Sequence, residues 1–179
     1  MLEDIKKYFR KRRLQKESSK THTGLMTLDK ISSANFVIDV EEQGFDLLKE
    51  DILAWGRSHG IKVNIYFLDF RKISKQELLL TSIQTTILKK DLNWLGFPGQ
   101  DKMTGLVNEK TDMFVSLIDS SCPAIDYITK CSDARFKVGR RQYEGHAFDM
   151  IISGAQTDDL RSDSRLIFKA MLEFISKIK

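Results

Sequence analysis

Apolar residues along the chain follow two rhythms. Short runs with few polar interruptions lie at 36–40 (FVIDV), 63–68 (VNIYFL), 113–118 (MFVSLI) and 148–152 (FDMII). That is the pattern of strands buried on both faces. Between them, apolar residues recur at intervals of three and four. Phe45, Leu48, Ile52 and Trp55 predict a helix opened by Gly44 and stopped by Gly60. Ala124, Ile125, Ile128 and Cys131 predict a second, with Pro123 in its first turn. Leu166, Ile167, Ala170, Met171, Phe174, Ile175 and Ile178 form the stripe of a last helix, N-capped by Ser162 or Ser164. Ala134, Phe136 and Val138 alternate with Arg135 and Lys137, which reads as a strand with one wetter face, near a sheet edge. The pattern weakens over 70–110. Ser74 and Glu77 have capping-box spacing ahead of a helix, Thr85 to Leu88 favour a strand, and an extended segment ends at 93–98.

Strands alternating with helices predict an α/β fold: a three-layer α/β/α Rossmann-like sandwich with a mostly parallel sheet. One domain covers 25–179, and a basic N-terminal helix with its linker covers 1–24. In such sheets a ligand sits beyond the carboxyl ends of the strands. Here those are the loops after Val40, Leu68, Ile118, Val138 and Ile152. A chain of 179 residues buries enough surface to fold without staples, and its two cysteines are no disulfide scaffold. Its apolar runs fall far short of a membrane span, and no apolar h-region follows the charged start. The expected compartment is the cytoplasm.

Charge changes the picture at one end. Lysine and arginine number 29 and acidic residues 25, for a net charge of +4. Residues 1–20 carry eight basic groups (Lys6, Lys7, Arg10, Lys11, Arg12, Arg13, Lys16 and Lys20) and three acids, a net +5 that leaves −1 for the other 159 residues. Residues 1–17 predict a helix with Leu2, Ile5 and Phe9 on one face, and 18–24 (SSKTHTG) read as a polar linker. The plain reading is a solvated helix resting on the body by its apolar stripe. The functional reading makes Lys6, Lys7, Arg10, Lys11, Arg12 and Arg13 a surface for a protein partner or an anionic membrane. A basic leader on a nearly neutral body argues less for nucleic acid than a basic body would, so nucleic acid is not the expected partner.

The loops do not read as a nucleotide site. Asp39, Val40, Glu41, Glu42, Gln43 and Gly44 follow the first strand, where a dinucleotide fold needs G-x-G-x-x-G, and no G-x-x-x-x-G-K-[ST] occurs. Two glutamates at that place repel a pyrophosphate. Asp39, Asp69 and Asp119 end three strands and, with Glu41 and Glu42, are candidates to hold Mg²⁺; equally, each caps the turn that follows it. Glu41 stands where a D-x-D phosphatase motif needs its second aspartate. In the loop from Gly139 to His146, Arg140 and Arg141 suit a carboxylate or phosphate, or belong to an exposed turn. Ser153 and Gly154 follow the last strand and allow close approach of a ligand or of another backbone. Cys122 and Cys131 lie nine apart on opposite faces of one helix and neither chelate nor bridge. Cys122 sits at the helix start, where the dipole lowers a thiol's pKa, but nothing links it to His22, His59 or His146. Trp94 and Phe97 are core aromatics or a partner surface.

Three segments, Asp91-Leu92-Asn93-Trp94-Leu95-Gly96-Phe97-Pro98, Thr111-Asp112-Met113-Phe114-Val115-Ser116-Leu117-Ile118 and Ala134-Arg135-Phe136-Lys137-Val138-Gly139, carry a resemblance. With the basic leader, the chain resembles a family of uncharacterised small α/β proteins from Bacteroidetes, a domain of unknown function. The resemblance implies no activity and no catalytic residue. Residues 112–118 and 134–139 also resemble the N-terminal half of heptosyltransferase-type sugar transferases, which implies fold and not transferase activity. The expected function is a non-enzymatic binding or interaction module. The alternative is a binder of, or enzyme on, an anionic phosphate or sugar-phosphate ligand, assisted by Mg²⁺. Under the alternative, Arg140→Ala with Arg141→Ala abolishes ligand binding and leaves the body folded; under the first, deleting 1–20 abolishes partner binding.

Overall fold

The computed structural model describes residues 2–72, 81–107, 110–142, 145, 147–153 and 163–179. The helix expected from Ser74 and Glu77, the candidate cap Ser162, and the loop residues His146 and Gly154 lie outside these residues. Among the described residues, six strands form one sheet: β1 (Ser33–Asp39), β2 (Lys62–Asp69), β3 (Thr86–Leu88), β4 (Met113–Ser116), β5 (Phe136–Gly139) and β6 (Met150–Ile151). Their order is β3-β2-β1-β4-β5-β6, and every neighbouring pair is parallel. Five α-helices accompany them among the described residues: α1 (Leu2–Glu17), α2 (Phe45–His59), α3 (Gln100–Val107), α4 (Pro123–Cys131) and α5 (Ser164–Lys177). This is the expected Rossmann-like sandwich.

The order follows from handedness. The chain steps from β1 to β2 to β3 in one direction, then returns to β4 beside β1 and steps the other way. Right-handed crossovers therefore lay α2, between β1 and β2, and α4, between β4 and β5, on opposite faces, while α5 follows the last strand and returns to the face of α2. α2 and α5 cover a core containing Phe36, Ile38, Leu48, Ile52, Phe136 and Phe168. The core of the other face contains Val37, Leu68, Phe97, Leu106, Phe114 and Ile125, and includes residues of α3 and α4. In β1, Phe36 and Ile38 point one way and Val37 the other, as the two-residue period requires. α2 is bounded by Gly44 and Gly60, both left-handed (φ 79° and 67°), so the two glycine signals in the sequence mark its true ends.

Three expectations need correction. The strand at 134–138 does lie near an edge, one place in, between β4 and β6, but it has no wetter face, because Lys137 is buried. Its Nζ donates to the Thr129 carbonyl at 2.8 Å, in the last turn of α4, and burial pulls its pKa down. A lysine stem packs well under a helix when a helix-end carbonyl receives the head, so a basic residue in an alternating strand did not mean a wet face. The cap of α5 is Asp163, whose Oδ1 accepts from the Arg165 and Leu166 amides at 2.9 and 3.4 Å; Ser164 is the first helical residue. Finally, α3 has no counterpart in the apolar pattern. It buries only Met103 and Leu106 and is tied to β1 through Asn35, whose Nδ2 donates to the Leu106 carbonyl at 3.4 Å.

At the amino edge of the sheet, Asp112 joins three strands. Its Oδ2 accepts from the Ser32 amide and hydroxyl at 2.8 and 2.6 Å and from the Ser33 amide at 3.1 Å, and its Oδ1 accepts from Arg135. Burial pushes the Asp112 carboxyl up, but the hydrogen bonds from Ser32 and Arg135 outweigh it and hold the group well below the usual carboxylate range. A depressed carboxylate stabilises the fold above its unfolded pKa and loses that contribution as pH falls through the folded value. Asp112→Asn is therefore expected to cost about 2 kcal/mol at neutral pH. In urea melts the gap from wild type stays constant above roughly pH 4 and closes below it. A gap that does not change with acidification contradicts this.

Candidate functional site

The strand order turns back at β1, and the carboxyl ends of β1 and β4 mark the crevice where this architecture binds ligands. Arg140, from the loop after β5, fills it. The Arg140 guanidinium is 3% exposed. Its Nη1 donates to Glu42 Oε1 at 3.0 Å, to Ser164 Oγ at 2.8 Å and to the Leu117 carbonyl at 3.4 Å. Its Nη2 lies 3.8 Å from Asp119 Oδ2. The Ser164 hydroxyl donates to the other Glu42 oxygen. One network thus crosslinks the loops after β1, β4 and β5 and the start of α5. Burial pushes the Glu42 carboxyl up, and Asp39 and Asp119 push it further; Ser164 and Arg140 pull it down without cancelling the rise. Of the two readings of Arg140, anion clamp or part of an exposed turn, the exposed turn does not hold for its side chain, which is buried with Nη1 on Glu42. Arg141 is exposed, with Nη1 on the Asp119 carbonyl at 3.0 Å.

The three strand-end aspartates share this edge but do not converge. Asp69 is buried and takes a two-point bond from Arg71, Nε at 2.8 Å and Nη2 at 2.7 Å, which lowers its pKa. Asp39 turns back on its own chain, accepting from the Glu41 amide at 2.8 Å. Burial raises its pKa, and the Asp69 charge adds to the rise. Asp119 is exposed. Among the described residues, no group of three or more His, Cys, Asp or Glu side chains is placed to hold a metal ion. The Mg²⁺ expectation therefore finds no gathered ligand set there: Asp69 is neutralised by arginine, and Asp39 caps a turn. Ser153 is exposed just beyond β6. Cys122 and Cys131 are free thiols. Cys122 caps α4, and burial raises its pKa although the Ile125 and Ala124 amides pull it down, which reverses the lowering expected from the helix dipole. Burial pushes Cys131 up to about 11.

The leader supplies the second feature of interest. α1 lies against the body by the side that carries Arg10, Arg13, Leu14 and Glu17; of its apolar stripe, Phe9 touches Trp94. Arg10 Nε donates to the Leu95 carbonyl at 2.7 Å. Arg13 lies 5.7 Å from the Tyr127 ring centre and bonds Glu17 at 3.0 Å, and the Tyr127 hydroxyl donates to Glu17. Burial raises the Glu17 carboxyl, yet the bonds from Tyr127 and Arg13 outweigh it and leave the group below its usual pKa. Leu14 packs onto the core. The segment 18–24 is tied down as well: Ser19 donates its amide to the Lys130 carbonyl and its hydroxyl to Asp133, and the Gly24 amide reaches the Arg135 carbonyl at 2.9 Å.

Leu2, Ile5, Tyr8 and Phe9 consequently stay exposed. Phe9 meets Trp94 edge to face, with ring centres 5.6 Å apart, and Trp94 is itself 58% exposed. The turn at Asn93 decides this. Its Oδ1 accepts from the Leu95 and Phe97 amides, and Gly96 takes a left-handed φ of 80°. The turn sends Trp94 outward and tucks Phe97 under Tyr127, stacked at 4.3 Å. Between α1 and the start of α4 lies a cleft of about 710 Å³, with Lys7, Arg10 and Lys11 on one wall and Ser121, Cys122 and Pro123 on the other.

A family model matches residues 5–168, from the first turns of α1 into α5, and so takes in the leader, the sheet and the filled crevice. The chain belongs to the family of unknown function DUF6913. No curated protein and no solved structure matches it. Among the described residues of this DUF6913 chain, no helix is long and apolar enough to cross a membrane. Sequence reasoning did not find Glu42 and Ser164 as partners of Arg140, nor Tyr127 as the partner of Glu17. The separations are 98, 24 and 110 residues, and no local pattern joins them.

Proposed function

We propose that this DUF6913 chain is a non-enzymatic interaction module whose contact surface is the outward side of α1 together with Trp94. One observation carries the reading: the helix fastens itself to the body with Arg10, Arg13, Leu14 and Glu17 and leaves Leu2, Ile5, Tyr8 and Phe9 in water. Contiguous exposed apolar side chains of this kind mark interaction sites. The Arg140–Glu42–Ser164 network supports the reading from the other side, because it fills the crevice where a small ligand of this fold class binds. Two free thiols support a reducing compartment such as the cytoplasm. The strand–helix–strand unit β4-α4-β5 supports taking the heptosyltransferase likeness as one of fold.

A photo-crosslinking side chain tests the reading. Installed in place of Tyr8, it is expected to give adducts with protein or with lipid in cells; installed in place of Leu47, exposed on α2, it gives none. Equal labelling at both positions, or none at either, overturns the proposal. The cleft beside Lys7, Arg10 and Lys11 favours a second reading, a site for a phosphate-bearing small molecule. Thermal stabilisation by inorganic phosphate or a sugar phosphate, lost in Lys11→Ala, would support that reading over the first.

A further inference from the structure

We infer that the partner of this surface is an anionic lipid bilayer, on which α1 lies flat with Trp94 as a second anchor; this rests on the reading of α1 as the contact surface. The argument begins with the apolar side chains. Leu2 is 67% exposed and Tyr8 62%, and Ile5, Phe9 and Trp94 continue the same patch. Trp94 comes from a different element and is held against Phe9. The patch is therefore built by tertiary structure and does not depend on a helix forming alone.

The cations give the sign. Lys6, Arg10 and Arg13 are paired with Glu3 or Glu17. Lys7, Lys11, Arg12 and Lys16 are exposed and make no ion pair among the described residues. Residues 1–20 carry a net +5, so the surface facing the patch must be anionic.

Their placement tells a bilayer from an acidic protein. At about 100° per residue, Arg12 and Lys16 share the sector of Ile5 and Phe9, while Lys7 and Lys11 lie on the far side of Tyr8. A protein groove that buried Ile5 and Phe9 would bury two cationic heads with them, at a desolvation cost. At a lipid surface the stems of Arg12 and Lys16 lie along the acyl boundary and their heads reach the phosphates. Apolar and aromatic anchors, interleaved with Arg12 and Lys16 and flanked by Lys7 and Lys11, bind by buried apolar area together with attraction to anionic lipid. Trp and Tyr favour the same depth.

Vesicle flotation of the full chain tests this. The protein is expected to float with phosphatidylcholine vesicles holding about a quarter phosphatidylglycerol, and not with phosphatidylcholine alone. Binding falls at least about tenfold when salt is raised from roughly 0.1 M to 1 M. Phe9→Ala with Trp94→Ala weakens flotation by about tenfold or more. Lys7→Glu with Lys11→Glu and Arg12→Glu abolishes it. Both variants alter surface side chains, and a cooperative melt within a few degrees of wild type separates lost contact from lost folding. Brominated lipid should quench Trp94 and spare the buried Trp55. Flotation that needs the cations but not Phe9 and Trp94 is charge adsorption and overturns the proposal, as does no flotation at all. Discrete protein adducts from position 8 without flotation overturn the bilayer and keep the interaction surface. Neither adducts nor flotation removes both.

Discussion

Arg140→Ala is expected to cost about 3–5 kcal/mol at neutral pH, a fall in Tm of roughly 6–15 °C. The guanidinium is buried and is the cation that Glu42 faces, so its removal leaves a carboxylate with Asp39 and Asp119 as its charged neighbours. The pH dependence has a definite sign. Burial already raises the Glu42 pKa, and losing Arg140 raises it further. A carboxyl whose folded pKa exceeds its unfolded value binds its proton more tightly when folded. The penalty is therefore largest above that pKa and shrinks as pH falls through it. Glu42→Gln added to Arg140→Ala should recover about half of the loss, because the amide removes the stranded charge. Arg141→Ala, at an exposed residue bonded to one carbonyl, should stay within about 0.5 kcal/mol of wild type. Urea melts of the four proteins at pH 7 and pH 5 check all of this. A loss below about 1 kcal/mol for Arg140→Ala, or one that glutamine at 42 does not relieve, would mean that the crevice is not closed by this pair.

Phe36→Ala is expected to cost about 3–5 kcal/mol as well, for a different reason. Phe36 is fully buried near the middle of β1, the strand that both β2 and β4 pair with. Its ring meets Trp55 of α2 at 6.0 Å and Phe168 of α5 at 5.9 Å, both edge to face, and those two rings also meet each other at 6.3 Å. Truncation removes the ring that joins both helices to the sheet. Neighbours anchored on two different helices cannot both move into the gap, so a cavity term adds to the lost transfer energy. Phe36→Leu keeps most of the volume and should cost about 1.5 kcal/mol. Equilibrium denaturation of the pair checks the ordering. Equal losses for alanine and leucine would show that ring geometry matters more than volume, and a loss under about 1.5 kcal/mol for alanine would show that α2 and α5 collapse inward.

Much of the architecture was written in local pattern. Strands buried on both faces need apolar runs, and the runs at 36–40, 63–68 and 113–118 became β1, β2 and β4. Gly44 and Gly60 marked α2 because its two ends require left-handed backbone. Where the pattern misled, a long-range partner had changed what a residue type means. Lys137 reads as a wet face until the Thr129 carbonyl receives its ammonium. Ser164 reads as a cap until Glu42 claims its hydroxyl and Asp163 takes the capping role. α3 was unreadable because it is short, buries two apolar residues and is secured by its neighbours more than by its own periodicity.

The candidate site divides along the same line. That the leader is basic, that Leu2, Ile5 and Phe9 share one side of it, and that arginines and aspartates follow the strands is determined by the sequence alone. Composition and the 3.6-residue period are local quantities. Which side of the leader meets the body and whether Arg140 faces water or Glu42 were decided only by the tertiary structure. Each of those outcomes depends on which groups 24 to 110 residues away arrive within hydrogen-bonding distance, and burial then sets the charge and pKa of the groups that meet.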